Sequence, residues 1–194
     1  MSATFKWAED HGAATGSPVR GTTRVQDGSI TTASNWKNAD DVATAYGSSP
    51  ITAGQHSYEK FLYGMFTGTW TTIGSGKWSH TATEDATGTP GSGTAFDGTA
   101  IKIVGVVTST YSTPGTAANA ALTNAISGTT AIGSGLTVLF SKVGPEAASP
   151  AASITNAGSD TGYTQYLATQ LQTTAAATAG DTKKAVFTLQ YQEN

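Results

Sequence analysis

Three histidines and three acidic pairs carry most of the chemistry open to this chain. The histidines are His11, His56 and His80, and the pairs are Glu9-Asp10, Asp40-Asp41 and Glu84-Asp85. An imidazole beside a carboxylate is a general base, two facing carboxylates form an acid–base pair, and three histidines converge on zinc. No two of the histidines have the spacing of one helical face, so they read as surface residues and no metal site is expected. Asn38-Ala39-Asp40-Asp41 is the best opening of a calcium loop. It lacks the glycine and the distal glutamate that complete such a loop, and reads instead as a solvated turn.

Nucleophilic and phosphate chemistry find less support. TTIGSGKW, residues 71–78, has the Gly-Lys of a phosphate loop, but Thr71 stands where its first glycine belongs and Trp78 where its magnesium-binding hydroxyl belongs. Gly74-Ser75-Gly76 is therefore expected to be a turn between two strands carrying Ile73 and Trp78. There is no Gly-x-Ser-x-Gly elbow, and with no cysteine there is neither a thiol nucleophile nor a disulfide. The chain is expected not to be an enzyme and to hold no cofactor. The Lys and Arg residues are scattered through a chain of net charge -3, which excludes a basic nucleic-acid footprint. No window has the apolar length of a spanning helix, and MSATFKWAEDHG lacks the apolar run of an export signal, so no membrane partner is expected.

The elements that would position these residues read as strands. In KKAVFTLQYQ, Phe187, Leu189 and Tyr191 share one face and Thr188, Gln190 and Gln192 the other, the period of a half-buried strand. YTQYLATQLQT places Tyr163, Leu167 and Leu171 together, and Gly180-Asp181 marks a turn, so the two segments are expected to close as an antiparallel hairpin. IKIVGVVTSTY is expected to be an interior strand buried on both faces with a bulge at Gly105, and LTVLFSKV a second interior strand. TAANAALTNAIS has the length and flanking glycines of a short helix. The loops HGAATGSPVRGTTR, ATEDATGTPGSGTAFDG and GPEAASPAAS are punctuation.

Bulky apolar material gathers in SYEKFLYGMFTGTW, which holds Tyr58, Phe61, Tyr63, Phe66 and Trp70, with Trp78 soon after. On a strand Phe61, Tyr63 and Met65 face one side and Leu62, Phe66 and Trp70 the other, and Gly64 and Gly68 let neighbours approach closely. Leu, Ile, Val and Phe number only 30 of 194 residues, below the usual share of a packed domain. A chain so lean hardly leaves its largest rings in water, so these six aromatics are read as core or subunit interface. The competing use is a glycan platform built from exposed Trp36, Trp70 and Trp78. The fold class expected is all-β, an antiparallel sandwich with a jelly roll as one form of it. Residues 1–46 are expected to be an extended arm, with Phe5, Trp7, Arg20, Arg24 and Trp36 as its contacts, and residues 47–194 the sandwich. The missing stabilisation is expected from other subunits.

Three stretches carry a family resemblance: TFKWAEDHG, SPITAGQHSYEKFLYGMFTGTWTTIGSGKWSH and YTQYLATQLQTTAAATAGDTKKAVFTLQYQEN. Together they cover about half the chain and resemble tailed-bacteriophage virion structural proteins. That resemblance implies a capsid decoration, or cement, protein that binds the major capsid protein or other virion proteins as a dimer or trimer. It would be made in the bacterial host cytoplasm and reside in the virion. The alternative it implies is a tail or fibre module, with the tryptophans as glycan anchors.

Overall fold

A computed structural model describes residues 2–26, 35–41, 43–82, 100–122, 124–125, 136–178 and 185–194. Glu84-Asp85, the loop at 83–99, the Gly180-Asp181 turn and the side chain of His80 lie outside the described residues. Among the described residues, twelve strands form two antiparallel sheets. The larger contains β1 (Ala3–Thr15), β2 (Arg20–Gln26), β3 (Lys60–Gly68), β5 (Ile101–Thr108), β6 (Asn124–Ala125), β8 (Phe140–Ser141), β10 (Gly162–Thr164) and β11 (Tyr166–Thr173). The smaller contains β4 (Thr72–Ala82), β7 (Leu136–Val138), β9 (Ser153–Thr155) and β12 (Ala185–Glu193). Among the described residues there is no α-helix, and the all-β sandwich expected from the alternating segments is the fold observed.

The large sheet runs β2-β1-β3-β11-β5-β6, with β10 also pairing β3 and β8. β3 lies near its centre because both faces of the strand are apolar. Phe61 and Tyr63 pack with Val104, Tyr111, Tyr166 and Ala168 on one side, and Phe66 joins Trp70, Ile73, Phe140 and Ile154 on the other. A Cβ on Gly64 would lie 2.8 Å from the Phe5 ring and 3.0 Å from Leu189 Cδ2, so the missing side chain is what lets the two sheets close there. The sheets meet where Trp7 stacks on Trp78 with ring centroids 4.7 Å apart, and Val138 and Leu167 close the same cluster. Phe187 meets Ile101, Ile103 and Leu171, while Tyr191 lies against Phe66 and Phe5.

Several expected elements are corrected. The N-terminal segment is not an arm: β1 is an interior strand, paired with β3 from Ala3–Gly68 to Asp10–Phe61 and with β2 on its other edge. A boundary at 46/47 therefore does not separate an arm from a sandwich. β11 and β12 are not a hairpin, since β11 pairs β3 and β5 while β12 pairs β4 in the other sheet. Tyr163 falls on β10, with Tyr63, and not on the face shared by Leu167 and Leu171. The segment 136–143 changes sheets at Leu139, giving β7 to one and β8 to the other, a corner of the sandwich. Residues 116–122 are not helical, and Asn124 and Ala125 pair with Gly105 and Val104. β5 is buried as expected on both faces, but its register with β11 runs unbroken past Gly105, so no bulge falls there.

Two bulges do occur. Gly74-Ser75-Gly76 is not a turn: β4 continues through it, and the register with β12 shifts between Gln190 and Gln192 while Ser75 takes φ 55°. Glycine relieves a bulge by the same backbone freedom that makes a turn. On β1 the register with β2 shifts between His11 and Ala14, with Gly12 at φ 80°.

Candidate functional site

The chemistry-bearing side chains converge on β1, in WAEDHG. Alternation sends Trp7, Glu9 and His11 to the face that meets the small sheet and Ala8 and Asp10 to the opposite face. Glu9, Asp10 and His11 are nevertheless all buried, between 0% and 2% exposed. The expected surface position of the histidine is thus corrected at His11. A β1 flanked on both sides by strands, with segment 35–41 alongside it at His11 and Gly12, leaves no solvent-facing side.

On the outer face Asp10 gathers three donors. Tyr166 OH donates to Oδ2 at 2.6 Å, Tyr63 OH to Oδ1 at 3.3 Å, and Arg24 Nε to Oδ1 at 3.0 Å. Arg24 reaches from β2, where it is the register partner of Asp10, and its guanidinium lies 5.2 Å from the Tyr63 ring centroid. Burial pushes both phenols well above the usual tyrosine range, and the Asp10 charge pushes them further. Burial alone would lower the Arg24 guanidinium, but the hydrogen bond to Asp10 and the surrounding oxygens more than reverse it. The arrangement is a buried donor set around one carboxylate, with both of its oxygens engaged.

On the inner face Lys60 Nζ lies 3.2 Å from Glu9 Oε1, both side chains essentially inaccessible. His11 Nδ1 lies 3.3 Å from the same oxygen and 3.4 Å from Asp40 Oδ1. Asp40 Oδ2 also accepts from Gly12 N at 2.9 Å, and Tyr111 OH donates to Gly12 O at 2.7 Å, so the bulge is pinned from two sides. His11 Nε2 is buried with no hydrogen-bond partner among the described residues. A third polar centre holds segment 115–119 on the outer face. There Gln170 Nε2 donates to Ser57 O and Ala117 O, and Glu59 Oε2 accepts from Gly115 N.

The other sequence-derived candidates are placed as follows. Phe61, Tyr63, Phe66, Trp70 and Trp78 are buried core, as expected, and Tyr58 is half-buried. Buried Trp70 and Trp78 cannot serve as exposed glycan anchors, and Trp36 packs on Phe187 and donates to Thr169 Oγ1, so the platform reading is withdrawn. The expected arm contacts are spent within the chain: Phe5 against Trp7 and Phe66, Arg24 on Asp10, and Arg20 in an ion pair with Glu146. His56 is half-buried and its Nδ1 accepts from Thr173 N at 3.3 Å. Of the expected solvated turn at 38–41, Asp40 is instead drawn onto Gly12 N and His11, while Asp41 stays partly exposed; its bonds from Thr44 N and then Thr44 Oγ1, with Lys37 Nζ at 3.5 Å, lower its carboxyl to about 2. Among the described residues no group of three or more His, Asp or Glu is arranged to hold a metal ion. No helix among them is long and apolar enough to cross a membrane.

Lys60, Gln170, Glu59 and Tyr166 were not singled out from sequence as polar centres. The available signal was the alternation FKWAEDHG itself, in which rings on either side of the charges mark a strand whose polar residues have no exposed face. No protein-family model matches the chain, and no curated protein or solved structure matches it significantly.

Proposed function

We propose that the chain is a non-enzymatic structural protein of a tailed-bacteriophage virion, and within that class a decoration protein. It docks on the assembled shell, bridges major capsid subunits, and does so as a dimer or trimer. The observation that supports this reading is where the side chains go. The rings and ionic groups that could serve a ligand are turned inward to lock strands together, and the described exterior is mostly Thr, Ser, Ala, Gly and Gln. Such a molecule acts as a rigid body. Val19 and Val143 are the exposed large hydrophobics among the described residues, and they sit on two loops tied by the Arg20–Glu146 ion pair. They are the proposed apolar contacts with the shell.

A ligand that binds only the assembled shell stabilises it by mass action. Purified expanded shells should therefore take up the protein to a fixed stoichiometry on co-sedimentation, and survive heating that disrupts bare shells. Failure to co-sediment with shells, with the protein instead found on tails when particles are imaged, removes the decoration reading.

A further inference from the structure

Lys60 and Glu9 place an amine against a carboxyl group in the dry interior. Their side chains are 1% and 0% exposed, and Nζ stands 3.2 Å from Oε1, the oxygen bonded directly to Cδ, so a small rotation of the carboxyl turns that carbon toward the amine. The strands fix this approach. Glu9 is paired with Leu62 across β1 and β3, so Lys60 lies two residues along on the same face. Lys60 Nζ has no hydrogen bond among the described residues, although it lies beside a carboxylate. Taking an ammonium out of water is costly, and Nζ recovers none of that cost through a hydrogen bond to the described residues. Passing one proton from the ammonium to the carboxylate supplies the neutral amine and the carboxylic acid that amide formation requires.

The geometry points to an intramolecular amide cross-link between Lys60 Nζ and Glu9 Cδ that staples β1 to β3. The amine lone pair adds to Cδ, forming the N–C bond and moving the carbonyl electron pair onto oxygen. The tetrahedral centre then collapses, the C–O bond breaks, and the hydroxyl leaves with the proton given up by nitrogen, as one water molecule. His11 Nδ1 is 3.3 Å from the reacting carboxyl oxygen and 3.4 Å from Asp40 Oδ1, so the ring nitrogen is held beside both carboxyl groups and is placed to carry the proton between nitrogen and leaving hydroxyl. No oxidant, reductant or second substrate is needed. Exclusion of water from the site slows the reverse hydrolysis.

Mass spectrometry of the full chain under denaturing conditions tests this directly. The expected mass is that of the sequence less one water. Protease digestion should yield a branched peptide joining the segment that contains Glu9 to the one that contains Lys60. Lys60→Arg should restore the full sequence mass, and His11→Asn should slow the appearance of the cross-linked form in freshly folded protein without moving the linkage. A wild-type chain at its full sequence mass after prolonged folding overturns the proposal, as does a water loss that persists in Lys60→Arg. If Lys60→Arg fails to fold, the branched peptide from wild type decides alone: its absence overturns the cross-link and its presence establishes it.

Discussion

Asp10 shows what a single charge contributes when a chain is short of apolar bulk. Its three donors come from β2, β3 and β11, so one carboxylate ties together three strands of the large sheet besides its own. Removing one partner of a buried charge pair leaves the other uncompensated, at about 3–5 kcal/mol. Asp10→Asn keeps the shape and strands Arg24, so urea unfolding should show a loss of that size, whereas Lys142→Met, which breaks the solvent-exposed pair with Asp160, should cost far less. The same cluster sets an alkaline limit. Burial raises the Tyr63, Tyr166 and Tyr111 phenols in the folded state. Their contribution is therefore complete below the unfolded phenol value of about 10 and is lost as pH rises beyond it. Phenolate absorbance followed with pH should show a first group of tyrosines ionising reversibly, then these three only together with loss of near-ultraviolet circular dichroism. Smooth independent ionisation of all seven tyrosines would contradict the buried cluster.

At the scale of elements, the decisive finding is that β1 is interior. An edge strand can be lost with local fraying, but β1 separates β2 from β3 and carries Trp7, Glu9, Asp10 and His11 into two faces of the core. Deleting residues 1–26 should abolish cooperative unfolding altogether; a truncated protein that still unfolds in one transition would show that the sheet assembles without β1. The bulge at Ser75 gives a smaller effect of opposite sign. A non-glycine residue at φ 55° carries a strain of about 1 kcal/mol, so Ser75→Gly should stabilise by up to that amount in thermal unfolding. These two elements also show what the sequence disclosed. Strands with period-two alternation, such as β5 and β12, and the doubly apolar β3 were legible because burial on a sheet imposes that period directly. Their partners were not legible, because β11 and β12 are neighbours in sequence yet their pairing is decided by which sheet buries each face. Gly74-Ser75-Gly76 was misread since turns and bulges draw on the same residues. The polar site was misread for a different reason: charge in Glu9-Asp10-His11 signals solvent in isolation, and only the pairing of β1 on both edges removes that solvent.

For the molecule as a whole, the question is how 30 large aliphatic and Phe side chains among 194 residues hold a two-sheet sandwich. Polar centres between strands answer part of it, at Asp10, at Gln170 with Glu59, and at Glu9 with Lys60. If the last is covalent it closes a loop of about 50 residues, and a link of that span constrains the unfolded chain by ~4 kcal/mol. That arrangement makes the fold self-supporting and, on the proposed decoration role, leaves the exterior to meet the shell. Stability and shell binding should therefore separate by mutation. Val19 and Val143 lie outside the core, so changing both to Ser should leave the unfolding midpoint in urea where it was. Partial burial of each against a shell is worth about 1 kcal/mol, so the double substitution should weaken binding to expanded shells roughly 30-fold. Titration of shells with wild-type and substituted protein measures this, and equal affinity would move the docking surface away from these two loops. A fall in the unfolding midpoint of the same variant would instead show that the loops belong to the core, and that shell contact and folding are not carried by separate parts of the sandwich.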